Sequence, residues 1–441
     1  MSKKNDSNKK LKLLRGMKDI LPENQPYWHW VRDTIREIGE TYGFKRIDTP
    51  VMEATDLFIR SIGEETDIVE KEMYSFTSHR EKITLRPDGT APIARAYIEH
   101  GMINRPQPIK LYYLGPFFRH DRPQAGRYRQ FWQFGFEILG EIHPVVDSQL
   151  ILLAHSIYKE LGLDITIQVN SIGCPECRDE YVRKLKDYFR PRRSAMCESC
   201  RKRLNRNPLR LLDCKEKECQ EIAKEAPQIV DHLCEDCKNH FMQVLEYLDD
   251  LEISYALNPH LVRGLDYYTG TTFEIWSQDE EKGNRAALGG GGRYNNLVES
   301  LGGRQTPAIG FACGIERLII ELKENKIKPP QKKEIDVFVA QLGKKARRKC
   351  LKLFEFLRKK GLKVAESLSK TGLKAQLEVA DKKKVKFTLI IGQKEIMDDT
   401  VLIRDMENGI QEMVDYDKIY EEVVKRLEKN KANTIKKEKN E

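Results

Sequence analysis

The chain has 441 residues, 33% charged and 40% hydrophobic, with a formal net charge of +9. That length holds two or three domains with a sizeable core, and no stretch approaches the roughly 18 consecutive apolar residues of a membrane span. Residues 331–441 carry 28 Lys and Arg against 19 Asp and Glu, which leaves 49 of each sign in the first 330. The whole excess lies at the C-terminal end. It suits a polyanionic partner, and a lysine-rich solvated surface accounts for it equally well.

In chain order, the opening MSKKNDSNKKLK is basic and polar with no apolar run behind it. That is not a signal-peptide pattern, so residues 1–10 read as a disordered tail and the chain as cytoplasmic. Val31, Ile35, Ile38 and Tyr42 recur at helical spacing with Gly43 as a stop, and 44–49 reads as a strand ending at Pro50. Residues 83–86 form a strand that turns through Pro87-Asp88-Gly89-Thr90 into a helix over 91–100. At such a turn Asp88 and Thr90 either cap the helix or contact a ligand.

Two strands, 109–119 and 131–139, then flank the polar loop HDRPQAGRYR, punctuated by Pro123 and Gly126. Arg119 stands at the loop's mouth, and Arg122, Arg127 and Arg129 follow. Alternate side chains of a strand share a face, so Gln133, Gly135 and Glu137 line one side while Trp132, Phe134, Phe136 and Ile138 line the other. An amide and a carboxylate with glycine between them leave room for a small polar molecule. Arginine forks bind phosphates bidentately. The stretch reads as a hairpin able to hold a nucleotide beside a small polar substrate; a plain hairpin with a basic loop is the alternative.

A helix over 147–161 and a strand over 165–170 precede an insertion at about 171–250, which holds eight of the ten cysteines. They fall as Cys174-x-x-Cys177, Cys197-x-x-Cys200, Cys214 with Cys219, and Cys234-x-x-Cys237. In a cytosolic protein such pairs are metal knuckles or reduced thiols more often than disulfides. Cys174, Cys177, Cys234 and Cys237 are the candidate structural zinc ligands.

Residues 261–275, LVRGLDYYTGTTFEI, place Arg263 before a turn, and 287–294, ALGGGGRY, carry four glycines that admit close backbone approach. The glycine run matches neither dinucleotide nor P-loop spacing. Residues 307–314 read as a strand and 315–322 as a helix bearing Arg317, a junction suited to an anion. A charged linker with Pro329-Pro330 covers 326–334. Beyond it, strands at 335–341, 387–391 and 400–404 alternate with helices including 344–360 and 417–429, which predicts a small α/β domain over 335–430 with a mostly parallel sheet. Residues 431–441 read as a second disordered tail.

The stretch FRHDRPQAGRYRQFWQFGFE resembles motif 2 of class II aminoacyl-tRNA synthetases, in the form found in bacterial-type histidyl-tRNA synthetases. The helix and strand ending at Pro50 are similar to motif 1, the dimer-forming element of that class, and 307–322 to motif 3. LVRGLDYY and ALGGGGRY resemble the two peptides that mark histidyl-tRNA synthetases, and the segment past the linker resembles their anticodon-binding domain.

The resemblance implies an α+β catalytic domain over 11–325, an antiparallel sheet flanked by helices in the class II synthetase fold, followed by a C-terminal α/β anticodon-binding domain. It also implies a homodimer that uses ATP with Mg2+ to activate L-histidine and passes it to the 3′ end of tRNA(His). By resemblance Arg119 and Arg263 are catalytic at the α-phosphate, and Arg127 and Arg317 join Arg119 in binding ATP. Asp88, Gly89, Thr90 and Gln133 would hold the backbone end of histidine, with Glu137, Tyr267 and Tyr268 around its ring. Asp88 stands where the family often carries Glu. For zinc the resemblance implies nothing. The rival readings are a regulatory paralogue without the signature arginine and a plain tRNA-binding module, and both fit poorly with a full set of arginines.

Overall fold

Aromatic and β-branched residues, which favour extended backbone, produce a hairpin with ten residues in each strand, and the first sheet grows outward from it. The computed structural model describes residues 10–64, 66–121, 126–278, 287–330 and 335–438, the last eight as helical backbone. It divides into two units, Met1–Pro329 and Pro330–Glu441.

The strands of the first unit are β1 (Lys45–Arg46), β2 (Met52–Ala54), β3 (Tyr74–Ser78), β4 (Glu81–Leu85), β5 (Ile109–Phe118), β6 (Gln130–Leu139), β7 (Ile165–Ser171), β8 (Tyr255–Leu257), β9 (Thr269–Ser277), β10 (Gly289–Arg293) and β11 (Ala308–Gly314). Among the described residues, one eight-stranded sheet runs β1-β5-β6-β11-β10-β9-β7-β8, and β2, β4 and β3 form a small antiparallel one. The inner pairings of the large sheet are antiparallel, as expected. At its edges β1 pairs parallel with β5 and β7 with β8, so the sheet is mixed. Two- and three-residue edge strands are too short for periodicity to reveal. The strand expected over 44–49 shrinks to the two residues of β1, after which one further bond, Ile47 N–H to the Tyr112 carbonyl, ends the pairing.

One face of the large sheet carries Phe134, Phe136 and Ile138 of β6, Ile309 and Phe311 of β11, and Phe273 and Ile275 of β9. The helices Gln25–Thr41, Val145–Glu160 and Ile315–Glu324 cover it with Val31, Ile35, Leu150, Ile151, Leu318 and Leu322. Each such side chain, once fully buried, contributes ~1.5–3 kcal/mol. The opposite face, bearing Gln133 and Glu137, is thereby left for chemistry. Between β7 and β8 the cysteine-bearing insertion forms the helices Pro175–Phe189, Glu198–Arg206, Lys217–Lys224 and Glu235–Asp250.

The second unit holds β12 (Val337–Gln341), β13 (Val364–Glu366), β14 (Phe387–Ile391), β15 (Thr400–Asp405) and β16 (Gln411–Asp415), in the order β13-β12-β14-β15-β16. Only half of it is parallel: β12 runs with β13 and β14, while β15 is antiparallel to β14 and β16. The antiparallel half rests on a hairpin whose turn Asp405 organises by accepting from the N–H groups of Glu407 and Asn408. The last helix, Ile419–Glu438, runs eight residues into the expected tail. Lysine, alanine and glutamate favour helix, and neither glycine nor proline intervenes to stop it. Residues 1–9 and 439–441 of the expected tails and 331–334 of the expected linker lie outside the described residues. Among those described, no helix is long and apolar enough to cross a membrane.

Candidate active site

A bare strip crosses the polar face of the large sheet. The pairing register aligns Tyr113, Gly135, Ala312, Gly290 and Glu274 in one row across β5, β6, β11, β10 and β9. Nothing larger than a methyl group stands at the three middle positions. At one end the Tyr113 ring lies over Gly135, where a Cβ would sit 2.5 Å from it; at the other the Arg263 guanidinium lies 2.8 Å from where a Cβ of Gly290 would be. In the next row Glu137 faces Gly310, whose Cβ would fall 1.5 Å from a carboxylate oxygen. Any side chain at position 310 would push that carboxylate off the sheet.

Glu137 is fully buried. The Thr90 hydroxyl donates to one of its oxygens at 2.8 Å, and the Tyr294 hydroxyl to the other at 2.5 Å. Burial pushes its pKa up to about 8, against those two donors, and the Asp88 carboxylate adds to the rise. Asp88 accepts from the Ala91 N–H at 3.1 Å, so it does cap the helix Thr90–Glu99, and burial raises its pKa despite that bond. Gly89 leaves space for the Tyr113 ring. The Gln133 amide donates to the Tyr113 hydroxyl at 3.4 Å. Tyr267 and Tyr268 pack with ring centres 4.7 Å apart, and Tyr267 meets Tyr294 edge-on at 5.7 Å. These residues, drawn from four separate sequence stretches, surround one polar chamber.

The ligand-free chain should therefore lose stability as pH rises. Folded Glu137 keeps its proton up to about 8, whereas the unfolded carboxyl releases it near its ordinary 4.5. Between those values the unfolded state binds fewer protons, so the free energy of unfolding falls with rising pH. Glu137→Gln is expected to flatten that part of the slope. Urea midpoints measured from about pH 5 to about pH 8 check this, and equal slopes in both chains would contradict it.

Arg119, Arg127 and Arg317 gather beside the chamber, and a fourth arginine, Arg263, stands on its Tyr268 side. Arg119 Nε donates to the Pro87 carbonyl at 2.9 Å, and its guanidinium lies 5.6 Å from the Phe131 ring centre. Arg127 pairs with Asp121 at 2.9 Å, and Arg317 donates to the Ala287 carbonyl at 2.7 Å. Burial lowers the Arg317 pKa, and the like charges of Arg127 and Arg119 lower it further. Arg263 pairs with Glu274 and stands 5.8 Å from the Tyr268 ring centre. Burial opposes its charge, but the Glu274 carboxylate and the flanking tyrosines outweigh that and shift its pKa upward. Its Nε is buried and finds no partner among the described residues, leaving a donor for a ligand.

Two other arginines of the quoted motifs are structural. Arg129 donates its backbone N–H to the Gly16 carbonyl and a guanidinium N–H to the Arg15 carbonyl. Arg293, buried, binds Asp147 and the carbonyls of Glu141 and His143, tying β10 to the helix Val145–Glu160. Arg122 lies outside the described residues. Sequence reasoning missed Tyr113, Tyr294 and Glu274. Tyr294 ends the glycine peptide and Glu274 lies in the Arg263 stretch, yet only the cross-strand register reveals what they meet.

The model of one known family, described as histidyl-tRNA synthetase, matches residues 16–318. The chain belongs to the histidyl-tRNA synthetase family. A second model, described as an anticodon binding domain, matches residues 336–426. A histidine–tRNA ligase of Natranaerobius thermophilus is 44% identical over 94% of this chain and 98% of its own length. That of Thermosipho melanesiensis is 47% identical over 92% of this chain and 97% of its own. The crystal structure of apo S. aureus histidyl-tRNA synthetase matches with a TM-score of 0.80 at 38% identity, covering 94% of this chain and 100% of that one. The chain thus has the architecture of a histidyl-tRNA synthetase, a class II catalytic domain with a mixed sheet and a separate anticodon-binding domain.

Proposed function

We propose that this chain is an ATP-dependent ligase joining L-histidine to tRNA(His), and that histidyl-adenylate forms over the glycine-floored strip. Its relatives carry that activity in their names at 44–47% identity over more than nine-tenths of the chain. The observation that carries the reading is a buried carboxyl group, Glu137, in a polar chamber flanked by arginines, of which Arg263 keeps a buried Nε without a partner among the described residues. Glu137 accepts an imidazole N–H while Tyr268, beside Tyr267, meets the other ring nitrogen. Asp88, Thr90 and Gln133 hold the amino and carboxylate end.

In the first step a histidine carboxylate oxygen attacks the α-phosphorus of MgATP, and the bond to pyrophosphate breaks. Charge builds on the α-phosphoryl oxygens, and preorganised cations stabilise it without reorganising. Arg119 and Arg263 approach that group from two sides, while Arg127 and Arg317 take the outer phosphates. Mg2+ enters as part of the nucleotide substrate. In the second step the 3′-hydroxyl of tRNA attacks the histidyl carbonyl and AMP leaves.

The second unit supplies tRNA recognition in this reading, because the entire positive excess lies in residues 331–441 and phosphate contacts carry much of nucleic-acid affinity. A chain ending at Lys328 is expected to keep histidine-dependent pyrophosphate exchange and to charge tRNA poorly. It should also remain a dimer by light scattering, since the segment resembling motif 1 is retained. Comparing exchange with tRNA charging tests the proposal. Parallel loss of both would mean that the second unit only stabilises the first.

A further inference from the structure

We propose that the insertion binds two zinc ions, one on each of two separate four-cysteine sets. The fold gathers Cys174, Cys177, Cys234 and Cys237 into one set and Cys197, Cys200, Cys214 and Cys219 into another. Within each set all the sulfur atoms lie within 4.8 Å of one another. Cys174 and Cys177 are 3.4 Å apart and Cys197 and Cys214 are 3.9 Å apart, and none of the cysteines is in a disulfide. A tetrahedral zinc with Zn–S bonds of ~2.3 Å has sulfur–sulfur edges of roughly 3.8 Å. The spacing is that of one ion among four thiolates, and a cluster of several irons would spread them wider.

The surroundings also suit thiolates. Cys174, Cys197 and Cys234 each stand at the N-cap of a helix, with the second cysteine of the C-x-x-C pair one turn inside. Backbone N–H groups there are free to donate to sulfur. Cys200 N–H donates to Cys197 Sγ at 3.4 Å, Cys234 N–H to Cys177 Sγ at 3.0 Å, and Cys197 N–H to Cys219 Sγ at 3.3 Å. Such outer donors orient and stabilise metal thiolates. Each ion that binds displaces four thiol protons to solvent and leaves a site of net charge −2. Residues 190–217 supply counter-charge, with ten Lys and Arg against three Asp and Glu.

The two sites are nested. The outer set joins the start of the helix Pro175–Phe189 to the start of Glu235–Asp250, closing the neck of the insertion. The inner set ties the starts of Glu198–Arg206 and Lys217–Lys224 together. From that inner module Arg203 reaches Asp67 at 3.0 Å, and Asn207 donates to Asp266 at 2.9 Å. The Arg210 guanidinium lies 3.2 Å from where a Cβ of Gly264 would be. Gly264 and Asp266 belong to the loop between Arg263 and Tyr267, so the inner ion braces the segment that carries Arg263.

Metal analysis by mass spectrometry of the purified full-length protein, with no metal added, should find two zinc ions per chain. A mercurial reagent should release both as the eight thiols react. Cys197→Ser/Cys214→Ser and Cys174→Ser/Cys234→Ser are each expected to retain one ion. Zinc near zero, a single ion per chain, iron in place of zinc, or disulfides among these cysteines would overturn the proposal. Where a double variant does not fold, the wild-type count and the mercurial titration decide. Hydrogen exchange across 261–268 should quicken in the Cys197/Cys214 variant, and unchanged exchange there would remove the brace. None of these readouts depends on which amino acid the chain activates.

Discussion

Arg119→Ala and Arg263→Ala are each expected to lower histidine-dependent pyrophosphate exchange by about 10²–10³-fold, the ~3–4 kcal/mol that one preorganised donor to developing charge supplies. Arg119 gives up little structure when truncated, because among the described residues its side chain donates to the Pro87 carbonyl and lies against the Phe131 ring. Arg263 is coupled more tightly, since its loss leaves the Glu274 carboxylate without its partner. Arg263→Lys separates the two effects: it restores a charge near Glu274 but not the planar fork. If the fork matters at the α-phosphate, the lysine chain folds normally and stays slow. Exchange within a few-fold of wild type in either alanine variant would contradict the role given to that arginine.

Glu137→Gln should weaken histidine binding on the order of 100-fold while leaving ATP binding within a few-fold. The Glu137 carboxylate accepts from both Thr90 and Tyr294. An amide has only one acceptor oxygen and adds donors, so one hydroxyl must turn away and the imidazole N–H loses its acceptor. A buried polar group left unpaired costs ~1–3 kcal/mol, and a site built to hydrogen-bond its substrate discriminates by that penalty. The Michaelis constants for the two substrates, measured separately by exchange, check the split. Equal losses for both would assign Glu137 to the fold and not to recognition.

Much of this arrangement was legible before the fold was known, for identifiable reasons. The hairpin Ile109–Phe118 and Gln130–Leu139 falls within one residue of its expected bounds, because β-branched and aromatic residues mark both strands, apolar and polar or glycine positions alternate over 132–137, and a polar loop divides them. Gln133 and Glu137 could be assigned to one face by that alternation alone. The glycine run was harder. Glycine has low strand propensity and no side chain to show a period, yet Gly289–Arg293 is an inner strand, held by β9 on one side and β11 on the other. Its place in a bare strip becomes visible only once Gly135, Ala312 and Gly290 align. The inner cysteine set was hidden in a similar way. Cys214 and Cys219 do not form a C-x-x-C pair, and only the fold brings them to Cys197 and Cys200. The antiparallel half of the second sheet did leave a trace, Asn408-Gly409 between β15 and β16, a dipeptide that favours tight hairpins.

Pyrophosphate exchange measured with each of the twenty amino acids in turn tests the central claim most directly. In the proposed function the arginines around the strip serve ATP and the Glu137 chamber takes histidine. Histidine alone should stimulate exchange well above background. Equal stimulation by another amino acid, or none by any, would contradict the account.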